Sequence, residues 1–198
     1  NSDKKYRTMR LAMSVTGEYT KYFGGTVAAA TTAINAKMTR VNGVYERDFA
    51  LHLNVQNFPQ LIYTNAATDP YSPSAQMNNW NLELQQNLTN TIGNAAYDIG
   101  HLFGASGGGG NAGCIGCVCI NPTGPTNQQK GSGYTSPADG IPQGDNFDID
   151  YVAHEMGHQL GGNHTFSHGL EGAGVNVEPG SGSTIMGYAG ITGPNTDV

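Results

Sequence analysis

The stretch HEMGHQLGGNH, residues 154–164, constrains the fold of this chain most, because it holds three of the six histidines. His154 and His158 are four residues apart, so on an α-helix their side chains project from nearly the same side, one turn apart. Gly161 predicts the end of that helix, since glycine readily adopts the positive φ that reverses a chain. The reversal brings His164 back over the first two histidines.

Three imidazole nitrogens that meet at one point form a zinc ligand set with a fourth position left for water, which is typical of catalytic zinc. Glu155 follows the first histidine, where its carboxylate can take a proton from that water. Polar histidines at a helix end, without a metal, are the alternative. The spacing arises by chance with a probability on the order of 10⁻⁷ per starting position. The sequence therefore predicts zinc ligands at His154, His158 and His164, with Glu155 as general base.

Composition limits the other classes of function. The net charge is −6 and charged residues make up 12% of the chain, which excludes a large basic surface for nucleic acid or anionic lipid. No run of eighteen apolar residues is present, so no membrane-spanning helix is predicted. The first ten residues lack the apolar stretch of a signal peptide, and any targeting segment is expected to have been removed. Abundant Gly, Asn, Thr and Tyr with few Lys and Glu favour secretion.

The three cysteines, Cys114, Cys117 and Cys119, lie within six residues and leave two interpretations open. One is a disulfide formed in an oxidising compartment, either local, from Cys114 to Cys117 or Cys119, or with a partner beyond this segment. The other is half of a zinc knuckle, which the absence of a second C-x-x-C pair disfavours.

The first hundred residues alternate between patterns of strands and helices, which predicts βαβ crossovers and a mostly parallel, twisted sheet. Period-two alternation or short apolar runs indicate strands, and apolar residues at helical spacing indicate helices. The predicted strands are 8–15, 48–55 (with Phe49 as its first apolar residue), 61–64 and 96–104. The predicted helices are 25–43, stopped by Asn42-Gly43, and 76–92.

The second hundred residues carry weaker patterns. We expect a loop or sharp bend at 105–113, a strand near the sheet edge at 114–120 and a surface loop at 121–147. Asp148 or Asp150 is expected to cap the last helix; together with Asp145 they resemble part of a calcium loop, but no glycine follows in register. His101 and His168 have no ligand spacing and are expected to lie at the surface or to contact the metal ligands from behind.

The motif at 154–164 matches H-E-x-x-H-x-x-G-x-x-H in full, and the later stretch STIMGY, 183–188, resembles a Met-turn. The chain thus resembles a metzincin zinc peptidase, most closely the reprolysin (adamalysin) family in a bacterial-type version. The stretches that carry this likeness, besides the motif, are RLAMSVTGEYTKYFGG, VNGVYERDFAL and FDIDYVAHEMGH, and the resemblance covers nearly the whole chain.

The resemblance implies a mixed α/β fold. It comprises a twisted, mostly parallel five-stranded sheet with an antiparallel edge strand, long helices, and an active-site helix that ends at Gly161. It also implies one catalytic domain over 1–198, with an N-terminal subdomain over 1–161 and a short C-terminal subdomain over 162–198. Because relatives usually continue past the Met-turn into a helix, the C-terminal subdomain is expected to be truncated.

The resemblance also implies roles for single residues. Met186 would form a hydrophobic floor beneath the zinc histidines. The edge strand near Asn111 to Cys119 would be the upper rim of the cleft and pair with an extended substrate. Residues 187–191 would line the pocket for the side chain after the scissile bond. Tyr188 has two open interpretations, assistance to the transition state or packing. The rim residues expected to bind substrate are Asn111, Ala112, Gly113 and Cys114.

Many reprolysins bind a structural calcium ion through an acidic residue on the first strand. Arg10 stands near that place in this chain, so calcium is not expected there, and Arg10 is expected to pair with Asp98. The resemblance further implies a propeptide in the precursor, protein or peptide substrates and a monomeric enzyme.

These expectations converge on a secreted, zinc-dependent endopeptidase that hydrolyses internal peptide bonds through a water activated by Glu155. A catalytically silent protein-binding module on the same fold is the main alternative, although it predicts a degraded motif. A structural zinc domain is disfavoured because only three ligands are visible.

Overall fold

The computed structural model describes residues 4–169 and 174–193. Its centre is a five-stranded sheet in the order β2-β1-β3-β5-β4. The pairs β1–β2, β1–β3 and β3–β5 are parallel, and β4 runs antiparallel to β5 at the edge. The predicted mixed α/β fold with an antiparallel edge strand is confirmed. The strands are β1 (Arg7–Val15), β2 (Leu51–Val55), β3 (Ile99–Phe103), β4 (Gly109–Asn111) and β5 (Gly133–Ser136).

Helices cover both faces of this sheet. The α-helices are α1 (Gly17–Tyr22), α2 (Val27–Phe49), α3 (Trp80–Thr91) and α4 (His154–Gln159). A π-helical segment of 8 residues, Asn146–Ala153, leads directly into α4. Three short 3₁₀ helices lie at Pro59–Leu61, Ser74–Asn79 and Asn94–Ala96. None of the helices within the described residues is long and apolar enough to cross a membrane.

The two faces of β1 bury side chains in two separate cores. Leu11, Met13 and Val15 pack with α2 and the π-helical segment, whereas Ala12 packs on the other face with α3. A strand whose two faces are both covered is typical of a parallel sheet. The zinc-motif helix therefore has one side against the first core and the other side facing the cleft.

Helix α2 does not end at Asn42-Gly43 as predicted, but continues to Phe49. The side chain of Asn42 accepts a hydrogen bond from the Leu53 N–H (2.9 Å) and donates one to the Leu53 carbonyl (3.0 Å). These bonds fix the helix against β2, and buried Val44 and Tyr45 continue the apolar face. Phe49 is consequently the last residue of α2, and the predicted strand begins only at Leu51.

Two further predictions around the second core are wrong or only partly right. Residues 61–64 form no strand; a 3₁₀ turn precedes a single parallel bridge from Ile62 to Val15. The predicted helix 76–92 starts as a 3₁₀ helix and becomes α-helical at Trp80.

The largest errors fall between residues 105 and 147. The predicted loop at 105–113 contains edge strand β4, and the predicted surface loop at 121–147 contains β5, whose four residues are all buried. The predicted strand at 114–120 is instead a series of turns, where Cys114 and Cys117 form a disulfide with Cα atoms 5.6 Å apart. A chain closed on itself over so few residues cannot extend as a strand. Cys119 is exposed and outside that bond.

The predicted capping of the last helix by Asp148 or Asp150 is wrong, because the helical segment already begins at Asn146. The Asp148 N–H donates to the Gly144 carbonyl (2.8 Å), which places Asp148 inside the first turn. The expected pairing of Arg10 with Asp98 is confirmed: Nη2 lies 2.8 Å from Oδ1, and Nε donates to Oδ2.

Candidate metal centre and active-site cleft

The first two histidines are positioned by the buried face of their helix. Val152, Ala153 and Met156 are fully buried in the first core. This packing fixes the rotation of the helix, so His154 and His158 project from its other side. Tyr45 of α2 adds a polar link, since its hydroxyl donates to the Ala153 carbonyl (2.6 Å).

Three Nε2 atoms converge at one point, those of His154, His158 and His164. The Nε2 of His154 lies 3.1 Å from each of the other two, which are 3.0 Å apart. This is the only group of metal-binding side chains of its kind among the described residues. The structure thus brings together the three histidines that the sequence singled out.

The second nitrogen of two of these rings shows that the group fits a metal ion. Nδ1 of His154 donates to the Ile185 carbonyl and Nδ1 of His158 to the Gly162 carbonyl, each at 2.6 Å. A carbonyl oxygen only accepts, so in the neutral rings Nδ1 carries the hydrogen and Nε2 presents its lone pair. Three lone pairs directed at one point repel each other unless a cation lies between them. Hydrogen bonds from Nδ1 to backbone carbonyls, as seen for His154 and His158, are typical of histidines that bind zinc through Nε2.

The chain reverses at Gly161, as predicted, where φ is +107°. The N–H groups of Gly161 and Gly162 donate to the carbonyls of His158 and Gly157, each at 2.9 Å, and so close the end of α4. A side chain at residue 161 would strain this left-handed backbone. The turn returns the chain to the cleft, which places His164 opposite the helix.

Met186 lies in a tight turn beneath the histidines. The Gly187 N–H donates to the Thr184 carbonyl (2.9 Å), and the Thr165 N–H donates to the Met186 carbonyl (3.1 Å). A Cβ atom on Gly157 would lie only 2.7 Å from the Met186 sulfur. The glycine in the middle of α4 therefore allows this turn to approach the helix that carries the ligands.

Sequence reasoning missed Glu178, whose carboxylate joins the third-ligand segment to this turn. It accepts hydrogen bonds from the hydroxyls of Thr165 and Thr184, and from the N–H groups of Ser183 (2.7 Å) and Thr184 (3.0 Å). Burial opposes its ionisation, but these hydrogen bonds outweigh burial and lower the pKa of Glu178 to about 2. No local pattern marks Glu178, because all its partners come from other turns.

Glu155 lies in the cleft beside the histidines, with only 8% of its surface exposed. Burial raises the pKa of Glu155 to about 8 while no metal ion is bound, and the positive charge of a zinc ion held by the histidines would favour the ionised carboxylate again. Edge strand β4 runs directly over it: a Cβ atom on Gly110 would lie 2.3 Å from Cγ of Glu155. The glycine backbone thus leaves room for the carboxylate beneath the rim.

A cleft of about 370 Å³ lies beside the histidines, and His158 and His164 form part of its lining. All four predicted rim residues line it, as do Glu155, His158, His164 and Tyr188. The Tyr188 ring stacks on Phe166 with centroids 4.5 Å apart and lies 4.5 Å from the His164 ring. The complete lining is Gly110, Asn111, Ala112, Gly113, Cys114, Ile115, Glu155, His158, Asn163, His164 and Tyr188.

His101 is another residue whose role the sequence did not reveal. It is fully buried, and its Nδ1 donates to Oε1 of Gln159 (2.7 Å) while its Nε2 accepts from the Thr135 hydroxyl (2.8 Å). Gln159 in turn donates to the Gly100 carbonyl (2.9 Å). Burial lowers the pKa of His101 to about 4, and its bond to Gln159 only partly opposes this. A neutral histidine thus ties the end of α4 to two strands of the sheet. His168, in contrast, is exposed.

A mostly parallel sheet with an antiparallel edge strand above a helix that bears two of three converging histidines defines a metzincin-type metallopeptidase. The chain matches the model of the metallo-peptidase family M12B, reprolysin-like, over residues 5–196. It therefore belongs to this family, and as such is a zinc metallopeptidase in general class. No protein of curated function matches the chain.

Proposed function

We propose that this protein is a secreted zinc endopeptidase that hydrolyses internal peptide bonds of proteins or peptides. One observation carries the proposal: three histidine lone pairs converge beside a buried carboxylate in an open cleft. In this proposal His154, His158 and His164 hold the zinc ion, and Glu155 is the general base.

Bound zinc supplies a Lewis acid that acidifies water and polarises a carbonyl group. Glu155 accepts the proton of the attacking water and then delivers it to the nitrogen of the leaving amine. Its burial beneath β4 leaves only 8% of its surface exposed to solvent. The backbone of edge strand β4, residues 109–111, holds an extended substrate by strand addition, because no further strand pairs with its outer side, and residues 112–114 continue the rim beyond the strand.

Residues 183–188 act as the Met-turn of this site, with Met186 as its apolar floor. Tyr188 has a second candidate role, the stabilisation of the negative charge that develops on the substrate carbonyl. Its position on the cleft surface beside His164 supports that role, and its stacking on Phe166 supports packing. A Tyr188→Phe variant distinguishes the two, since undiminished kcat contradicts participation in the reaction.

Casein hydrolysis by the zinc-loaded chain tests the main proposal. Activity is expected to disappear with a strong chelator and to return with zinc. Glu155→Gln is expected to lower kcat by about 10² to 10⁴ while the zinc content is unchanged. Glu18→Gln, at an exposed glutamate outside the cleft lining, is the matched control. Full activity in Glu155→Gln contradicts the general base, and an inactive zinc-loaded chain favours a silent binding module.

Secretion is proposed on the disulfide between Cys114 and Cys117, because such bonds persist in oxidising compartments. Fractionation of the native source, with thiol alkylation before and after reduction, tests this. A reduced, intracellular protein contradicts it. A propeptide in the precursor and a monomeric mature enzyme complete the proposal.

A further inference from the structure

The segment of four residues from Cys114 to Cys117, here called the rim loop, is attached to the zinc-motif helix. The Gly116 N–H donates to the carbonyl of His158 at 3.0 Å, and the disulfide closes the loop at its base. A Cβ atom on Gly161 would lie 3.7 Å from Cα of Gly116, so the loop is in van der Waals range of the helix end. The rim loop is therefore fixed relative to the histidines.

Anchors continue on the far side of the disulfide. Val118 packs against the first core, and the Cys119 N–H donates to the Asp98 carbonyl (2.8 Å). A loop with fixed ends and a covalent closure loses little conformational freedom when it binds a ligand.

Ile115 is the side chain that this rigid loop presents. It lines the cleft together with His158 and His164, yet 52% of its surface is exposed. Isolated exposed apolar residues are common, so exposure alone indicates nothing. Ile115 differs because its β-branched side chain is stiff and lines the cleft of the histidines on an anchored loop.

The charges in the cleft lining limit which substrate side chains can bind beside Ile115. Glu155 is the only carboxylic acid among the lining residues, which include neither lysine nor arginine. No cation in that lining can pair with an acidic substrate side chain, and isoleucine offers no hydrogen bond. A bulky apolar substrate side chain should bind most favourably there, because contact with Ile115 removes apolar surface of both side chains from water.

We infer that Ile115 on the rim loop forms a specificity subsite for a bulky, uncharged side chain of the substrate. This subsite is formed by the rim loop, whereas the pocket expected along residues 187–191 is formed by the segment of Tyr188, which lines the same cleft. The inference rests on the proposed peptidase function, whose substrate class it narrows.

Binding and cleavage are measured separately to test it. The probes are peptide hydroxamates, zinc-binding peptides that are not cleaved, in which each position is leucine, serine or lysine in turn. For zinc-loaded wild type, leucine is expected to be preferred at one position. Ile115→Ala should weaken that preference, and Ile115→Asp should lower affinity for the leucine probe by about tenfold and favour lysine there.

Ile120→Asp is the matched control, because Ile120 is 49% exposed shortly after the rim loop but does not line the cleft. Its profile should equal that of the wild type. If Ile115→Asp leaves the preference unchanged at every position, the inference is overturned. The same variants in a peptide-library cleavage assay show whether hydrolysis follows binding. If probes bind selectively but nothing is cleaved, the peptidase proposal fails while the subsite stands.

Reduction of the disulfide supplies a second test. If the closed loop holds Ile115 in place, reduction should lower the wild-type preference for leucine toward that of Ile115→Ala. It should change Ile115→Ala itself little, because the side chain concerned is already absent. An equal loss in both proteins, measured at constant zinc content, overturns the role of the loop.

Discussion

The two sides of the metal centre are built in different ways. His154 and His158 lie on a helix whose other face is fully buried in the first core, and Gln159 and His101 tie its end to the sheet. His164 lies in a segment with little core of its own, held by hydrogen bonds to Glu178 and the turn around Met186. The helical side should therefore unfold only when the whole fold unfolds, whereas the stability of the loop side should depend on local polar contacts.

A cavity in the helical side is expected to give the largest effect. Met156→Ala should lower the free energy of unfolding by about 2–5 kcal/mol, because it removes a fully buried side chain from the first core. Met186→Ala, at a half-buried methionine on the loop side, should lower the free energy of unfolding by clearly less. Urea unfolding of both variants with zinc removed measures the difference without the contribution of metal binding. Equal losses contradict the comparison.

Low pH should also destabilise the fold through the helical side. His101 has a folded-state pKa of about 4, below its ordinary value of 6.5, because it is buried. In the unfolded chain this histidine binds a proton below about pH 6.5, whereas in the folded protein it binds one only below about pH 4. The free energy of unfolding therefore decreases as the pH falls from 6.5 to 4. The loss is on the order of 3 kcal/mol at most.

The measurement is the free energy of unfolding between pH 4 and 6.5 for wild type and His101→Gln. Glutamine keeps hydrogen-bonding groups but does not titrate, so the variant should lose less stability across the window. The zinc histidines are present in both proteins and cancel in the difference. Parallel curves contradict a buried neutral His101.

The smallest effect is expected on the loop side and concerns metal affinity more than folding. Glu178→Gln should raise the zinc dissociation constant by about tenfold, because it weakens the contacts that hold the segment of His164. Global stability without zinc should change little. Zinc competition with a chromogenic chelator gives the affinity.

Glu83→Gln is the matched control for that variant. Glu83 also accepts hydrogen bonds from a turn, through the N–H and hydroxyl of Ser72, but it is not among the residues that line the cleft. It should leave zinc affinity unchanged. If both variants bind zinc as the wild type does, or lose affinity equally, the hydrogen bonds of Glu178 do not position the third ligand.

The accuracy of the sequence predictions follows the same division between local and long-range order. Strands β1 and β3 and the existence of α2 were predicted because apolar residues repeat at a period that a single element imposes. Strand β5 was taken for a loop: it has four residues, and only Tyr134 among them is a large apolar side chain. What buries it is α3 on one side, through Trp80, and the His101–Thr135 hydrogen bond on the other.

The end of α2 was misplaced for a related reason. Asn42-Gly43 has the composition of a helix stop, but the amide of Asn42 bonds to the backbone of Leu53 in β2, a contact that forms only once the strand packs against the helix. Local propensity is a weak constraint when a tertiary partner satisfies the same polar group. The disulfide could be named only as one of several pairings, since spacing does not show which cysteines approach.

The sequence by itself determined the chemistry of the centre: three histidines, one carboxylate and a glycine reversal, all within eleven residues of a single helix and turn. Helical geometry fixes such neighbours without help from the remainder of the chain. Only the tertiary structure decided what surrounds them: the rim strand over Glu155, the four bonds of Glu178 and the anchored Ile115. Those contacts join different elements and turns, and their geometry depends on how the sheet, the cores and the turns pack together.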